Sequence, residues 1–188
     1  EIVKNIAIIY KQLGQNHMAL AAIETARASN PDDVGLIITA ANIYFELDDK
    51  EAFKLAMSEA IEKEPNNPIL YYNLGVVSGE LGEKESARTY YEKSIELDPT
   101  NENSYLNLVA LILDGEQEIV NEMNSLGTSK SDNLRYDELK ITREELYKEC
   151  VPILKDLIAI SNDMEAIRTL MNIYGTLRDN PGYMEMKN

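Results

Sequence analysis

A chain of this size would keep its chemistry in nucleophile–base pairs, metal-ligand clusters, calcium loops or phosphate-cradling glycine loops. Each of these is scarce or misplaced here. There is one histidine, His17, and one cysteine, Cys150, far apart in the sequence. A thiolate nucleophile needs its base within hydrogen-bonding reach, and a zinc site needs three or four nitrogen and sulfur ligands. Neither requirement is met. Gly75, Gly79 and Gly82 are close together, but no strand precedes them and no Gly-Lys-Ser/Thr ending follows. The acidic pair Asp48-Asp49 lacks the alternating ligand spacing of a calcium loop. His17 therefore reads as an exposed turn residue and Cys150 as a small core residue. No catalytic residue, metal or cofactor is expected.

Charge narrows the partners. Eighteen Lys and Arg stand against thirty-three Asp and Glu, a net charge of −15 spread over both halves. Such a surface repels phosphate backbones and anionic lipid heads, so nucleic acid is not an expected partner. A basic protein or peptide is compatible, and the same acidity also serves solubility. A hydrophobic content of 44% is that of a folded chain. No apolar run approaches the length of a spanning helix, and a single cysteine excludes an internal disulfide framework. The sequence opens at Glu1 within a helical pattern, with no signal-peptide pattern. A trimmed piece, or a regulatory fragment of a larger protein, is one expectation from that.

The elements that position these residues repeat. Pro31, Pro65 and Pro99 fall 34 residues apart, as do Leu13, Leu47 and Leu81, and Ala26, Ala60 and Ser94. A further column runs Ala7, Ala41, Gly75 and Val109, preceded by Ile6, Ala40, Leu74 and Leu108. Ala19, Phe53 and Ala87 form another, with Phe53 its misfit. Small residues in these columns let paired antiparallel helices approach closely. Apolar residues at i, i+3, i+4 and i+7 form the stripe each helix buries. In the third unit these are Tyr71, Leu74, Gly75 and Ser78, facing Ala87, Tyr90, Tyr91, Ser94 and Ile95. Gly14, Asp48 and Gly82 fit the left-handed turn between paired helices. Each proline then stops a second helix.

The third unit, residues 68–101, closely resembles the tetratricopeptide-repeat (TPR) consensus, through Pro68-Ile-Leu-Tyr-Tyr-Asn-Leu-Gly75 and Ala87-Arg-Thr-Tyr-Tyr-Glu-Lys-Ser-Ile-Glu-Leu-Asp-Pro99. The resemblance covers residues 1–113 well and 142–178 more loosely. It implies an all-α, right-handed solenoid of antiparallel helix pairs and a non-catalytic interaction scaffold. The repeats are expected at 1–33, 34–67 and 68–101, with an interrupted repeat at 102–163 and a capping helix within 164–188.

TPR first helices line a concave peptide-binding groove, and the resemblance carries that lining onto this chain. In the first repeat it gives Lys4, Asn5, Ile8, Lys11 and Gln12. The second gives Ile38, Thr39, Asn42, Phe45 and Glu46. The third and fourth add Tyr72, Asn73, Val76 and Glu80, then Leu106, Asn107, Ala110 and Leu113. The set is apolar and amide-rich. Asparagine can both donate to and accept from an extended peptide backbone, and Phe45 and Tyr72 supply anchor area. The expected partner-binding residues are Ile38, Asn42, Phe45, Glu46, Tyr72, Asn73, Val76 and Asn107. One TPR subtype grips acidic C-terminal peptides with a Lys/Asn/Asn/Lys/Arg clamp. Here Lys4 fits its first position, but Ile8, Thr39 and Ile69 occupy others, which argues against that recognition.

The fourth unit breaks the pattern. After Glu102–Leu113, Asp114-Gly115 reads as a turn and residues 116–126 as a short helix closed by Gly127 as C′ cap. Residues 128–133 form a polar loop before a long amphipathic stretch, about 134–160. Its inward column is expected to be Tyr136, Leu139, Arg143, Leu146, Cys150, Ile153 and Leu157. If Cys150 continues the Ala19/Phe53/Ala87 column, about 29 residues are inserted, near 116–144. Asp132 and the box Thr142-Arg-Glu-Glu145 compete as helix starts, and Pro152 should bend the long helix. Residues 121–140 are similar to a segment of exported bacterial TPR proteins, which implies the periplasm or cell envelope. In the last helix, Ile167, Leu170, Met171 and Tyr174 are expected inward, with a break at 179–182. The competing functional reading is that the inserted helices cover the groove or pair with a second copy, as an autoinhibited or homo-oligomeric adaptor.

Overall fold

A computed structural model describes residues 2–178 and Gly182, the side chain of Lys4 excepted; the break expected at 179–182 therefore falls almost wholly outside the described residues. All regular structure among these residues is helical, and the chain divides into two compact units, Glu1–Asp98 and Pro99–Asn188.

The first unit holds three helical hairpins: α1 (Ile2–Gln12) with α2 (Asn16–Ser29), α3 (Val34–Glu46) with α4 (Lys50–Lys63), and α5 (Pro68–Glu80) with α6 (Lys84–Leu97). The 34-residue column of Gly14, Asp48 and Gly82 is the reason they are alike. These residues sit at φ of +70°, +58° and +76°. The next residue's N–H then donates back to the carbonyls of Tyr10, Tyr44 and Ser78 at 2.8, 2.9 and 2.9 Å. That is a helix-ending left-handed cap, which glycine adopts without cost and aspartate tolerates. Each second helix stops just before its proline, at Ser29, Lys63 and Leu97. Asp33, Asp49 and Asn67 cap the following helices by accepting from Leu36, Ala52 and Ile69 N–H at 3.2, 3.0 and 3.2 Å.

Core layers lie between hairpins as well as within them. Leu36, Ala40 and Ile43 of α3 pack with Ala7, Ala19 and Ile23 of the first hairpin. One repeat later, Leu70, Leu74 and Val77 of α5 pack with Ile37, Ala41, Phe53, Ala56, Met57 and Ala60 of the second. The glycine of the small-residue column takes an aromatic neighbour. A Cβ on Gly75 would stand 2.6 Å from the Tyr91 ring. Ser94 is fully buried, and its hydroxyl donates to the Pro68 carbonyl at 3.0 Å, tying α6 to the start of α5.

The second unit contains α7 (Glu102–Leu113), α8 (Glu116–Ser125), α9 (Lys130–Ser161) and α10 (Met164–Leu177). Helix α9 packs against the other three. It runs unbroken through Pro152 and starts earlier than either sequence-predicted cap. Ser129 is the N-cap: its hydroxyl accepts from Asp132 N–H at 3.1 Å, and the Asp132 carboxylate accepts from Ser129 N–H at 3.2 Å. Asp132 is thus the inner partner of a capping box. Thr142 lies within the helix and donates to the Glu138 carbonyl at 3.1 Å. Gly127 does not close α8 as a left-handed cap, since Leu126 ends that helix in an extended conformation. A Cβ on Gly127 would lie 2.9 Å from the Asp132 carboxylate, so its lack of a side chain admits the capping box instead.

The buried column of α9 corrects the expected one. Leu139, Cys150 and Leu157 are buried as expected, joined by Tyr147 and Leu154, while Tyr136 is exposed. Arg143, Leu146 and Ile153 are half-buried. In α10 the buried residues are Ala166, Leu170, Ile173 and Tyr174, with Ile167 and Met171 half-buried at the margin. Both expected stripes are displaced to one side, since Tyr147 and Leu154 in α9 and Ala166 and Ile173 in α10 are buried although not expected, and residues at a stripe's edge give the same periodicity as buried ones. Helices α8 and α9 run antiparallel. Glu122 pairs with Arg135 at 2.7 Å, and Glu116 accepts from Arg143 at 2.7 Å and from the Tyr147 hydroxyl at 2.8 Å.

Candidate peptide-binding face

Helices α3 and α5 are both first helices of their hairpins, so residues 34 apart occupy equivalent places on them. Asn42 and Phe45 of α3 and Asn73, Val76 and Val77 of α5 close around a pocket of about 210 Å³, together with Phe53 of α4. That space suits one apolar side chain; a cavity of about 150 Å³ already accepts a benzene ring. Phe45 is 43% exposed and its ring meets that of buried Phe53 at 5.7 Å between centroids, tilted by 57°. Neither Asn42 nor Asn73 makes a side-chain hydrogen bond with another described residue. Two amides, unbonded among the described residues, thus flank an apolar hollow.

Phe53 and Val77 are the members of this pocket that the TPR-like lining does not contain. Phe53 is the misfit in a column otherwise held by Ala19 and Ala87, both fully buried. A large ring there spreads past the helix pair and floors the pocket. The misfit is the sequence signal for it.

The other expected residues are less concentrated. Ile38 is half-buried and packs against the core of the second hairpin. Glu46 is engaged by Lys11 at 2.6 Å, and Glu80 by Lys50 at 3.0 Å. Charge on this face is therefore largely neutralised in pairs. Tyr72 is half-buried with its ring 6.3 Å from that of Tyr91. Asn107 is half-buried on α7 and belongs to the second unit.

The residues weighed for chemistry stay apart. His17 lies in the first turn of α2 rather than in the preceding turn, and is exposed. Cys150 is buried in the second unit, where desolvation, with Glu149 adding to it, pushes its thiol up to about 12. Among the described residues no group of three or more His, Cys, Asp or Glu is placed to hold a metal, and no helix is long and apolar enough to cross a membrane.

Residues 69–101 match the tetratricopeptide-repeat family model. No curated protein matches the chain. Its fold is that of solved TPR proteins. A MamA structure is 14% identical and superposes with a TM-score of 0.65, covering 98% of this chain and 86% of its own. MamA from Desulfovibrio magneticus RS-1 is 13% identical with a TM-score of 0.64, over 98% and 89%. The first TPR domain of Spaghetti (RPAP3), bound to the HSP90 peptide SRMEEVD, is 21% identical with a TM-score of 0.54, over 58% of this chain and 87% of that one. The chain is an all-α solenoid of antiparallel helix pairs containing a tetratricopeptide repeat.

Proposed function

We propose that this protein is a non-catalytic interaction scaffold whose α3/α5 face binds an extended peptide or partner helix. One apolar side chain of the ligand enters the hollow between Phe45, Phe53 and Val76, and the amides of Asn42 and Asn73 pair with its backbone. The observation that carries this reading is the combination of an open apolar pocket with two flanking asparagines whose side chains have no partner among the described residues. Asn42 is exposed and Asn73 half-buried beside the pocket, where a ligand backbone can reach both amides.

The ligand differs in kind from the acidic peptide bound to the RPAP3 domain. Holding several carboxylates requires cations and donors on the groove, yet Ile8 and Ile69 are 48% and 61% exposed at clamp positions. The Thr39 hydroxyl is spent on the Gly35 carbonyl at 2.6 Å, and Lys11 is held by Glu46. An apolar anchor with neutral or basic flanks fits the face and the −15 net charge.

Selection of a random displayed peptide library against the protein tests this. Selected peptides should share an aliphatic or aromatic anchor and no acidic run. Asn42→Ala and Asn73→Ala should each weaken them by about three- to tenfold, the worth of one hydrogen bond. Phe45→Ala should weaken them more. Peptides rich in glutamate and aspartate, or affinities indifferent to all three changes, would overturn the reading.

A further inference from the structure

Charge is inverted at a pocket of the second unit. The chain has eighteen Lys and Arg against thirty-three Asp and Glu. Yet three cations and one carboxylate line a cavity of about 170 Å³ where α8, α9 and the C-terminal end of α10 meet. The cations are Lys140, Arg143 and Arg178, and the carboxylate is Glu144. Met123, Tyr136 and Tyr147 supply a largely apolar wall. Five of the eight lining residues fall within 116–144, the stretch that departs from the 34-residue period. Peptide binding on α3/α5 involves none of them.

The cations are held in different ways. Arg143 Nε donates to Glu116 at 2.7 Å, and its guanidinium lies 5.2 Å from the Tyr147 ring centroid. Glu116 thus fixes the fork through Nε and leaves others of its five donors for a second acceptor. The Lys140 side chain is 57% exposed and reaches Glu144 only at 3.8 Å, too long for a hydrogen bond. Arg178 is exposed and makes no ion pair or side-chain hydrogen bond with a described residue. It ends α10 at φ +56°, a conformation that glycine or asparagine adopts more easily. The Tyr136 hydroxyl is likewise unengaged, whereas those of Tyr147 and Thr176 donate to Glu116 at 2.8 Å and to the Asn172 carbonyl at 3.0 Å. Lys140 and Arg143 stand three apart on one helix, an arrangement of like charges that destabilises it. A bound anion relieves that repulsion.

We propose that this pocket binds a carboxylate carried on a compact apolar body. Lys140, Arg178 and the remaining donors of Arg143 hold the carboxylate, and the body lies against Met123, Tyr136 and Tyr147. Size sets the body. A cavity of about 150 Å³ accepts a benzene ring, so about 170 Å³ takes little more than one ring or branched aliphatic group. Charge sets the head. Glu144 in the pocket and Glu116 behind it offset two of the three cations, which leaves one positive charge for the ligand. The net −15 of the chain opposes a second negative charge, so a carboxylate is favoured over a phosphate dianion. A free carboxylic acid and the terminal carboxylate of a chain share this chemistry. The site lies wholly in the second unit and does not rest on the α3/α5 face.

NMR titration of the full chain with benzoate, at fixed ionic strength, tests the proposal. Benzoate should saturate with a Kd of about 0.1–10 mM and shift the amides of Tyr136, Lys140 and Thr176. Benzamide, its neutral counterpart, should bind about tenfold more weakly or not at all. Lys140→Gln and Arg178→Asn should each weaken benzoate by about threefold or more. Both residues are exposed, and asparagine suits the left-handed backbone at 178, so helicity and the urea midpoint should stay at the parent values. Lys130→Gln, in the first turn of α9, should leave the affinity unchanged. Acetyl-Gly-Phe separates the two sources: its free acid binding more tightly than benzoate assigns a chain terminus, and more weakly a small acid. Equal binding of benzamide would make the pocket merely apolar, and tighter binding of inorganic phosphate would assign it to phosphate. Either overturns the proposal. So does affinity indifferent to both pocket variants, or no saturable binding of benzoate or the dipeptide acid up to about 50 mM.

Discussion

Gly75 and Tyr91 share a space that a single methyl group would fill. The ring lies 2.6 Å from where a Cβ would stand, and Tyr91 is only 5% exposed, so it has little room to retreat. Gly75→Ala should therefore lower stability by about 1–3 kcal/mol, the usual cost of overpacking, despite alanine's better helix propensity. Urea unfolding measures it, and an increase in stability would show that the ring gives way freely. Cys150 is the other residue whose setting decides its behaviour. Burial and a thiol pushed up to about 12 keep it out of the thiolate form. A disulfide reagent at pH 8 should label it no faster than the protein unfolds, and fast labelling of the native protein would place the sulfur at the surface. Residue types alone convey both assignments in part. Gly75 reads as a close-approach position, but the identity of the approaching ring depends on tertiary packing that no spacing encodes.

At the scale of the element, the hairpin turns contain one compromise. Asp48 holds φ +58° where Gly14 and Gly82 stand in the same column, and its carboxylate, 89% exposed, reaches Lys50 only at 3.9 Å. Asp48→Gly should stabilise the protein by roughly 0.5–1 kcal/mol, since relief of left-handed strain exceeds the loss of a weak surface pair. A lower thermal midpoint would refute this. The α8–α9 pair depends instead on charge. Arg135 hydrogen-bonds Glu122 and holds its carboxyl below the ordinary value of 4.5. A depressed carboxylate contributes stability that is fully present above the unfolded-state value and fades as pH falls through the folded one. Carboxyl NMR titration should thus give Glu122 a midpoint below 4.5, and Glu122→Gln should flatten the acid side of the α8 stability profile. Ser129→Ala should cost α9 about 1 kcal/mol through loss of its capping box; amide exchange in the first turn of α9 reports it. Helix existence and pairing are more legible here than helix starts. Ser129, Asp132 and Thr142 all have capping chemistry, and only the fold decides which one lies at the end.

For the molecule as a whole, the 34-residue period makes the helix-pair fold legible before any coordinate, because each column has one geometric job repeated. Four of the six residues lining the candidate pocket are legible in the sequence. Asn42, Phe45, Asn73 and Val76 are among the residues that the resemblance to TPR first helices implies, whereas Phe53 and Val77 enter because a ring replaces a small residue between paired helices. The second unit is least legible, since its long helix abandons the period and a stripe of mixed aromatic, basic and aliphatic residues has no unique inward side. Everything proposed about function turns on the α3/α5 face being where a ligand sits. Backbone NMR of the labelled protein, titrated with a peptide selected against it, tests this most directly. Shift changes should concentrate at Asn42, Phe45, Asn73 and Val76, with the side-chain amides of both asparagines moving strongly. Changes confined to α2, α4 and α6 on the opposite sides of the hairpins, with those four residues unmoved, would contradict it.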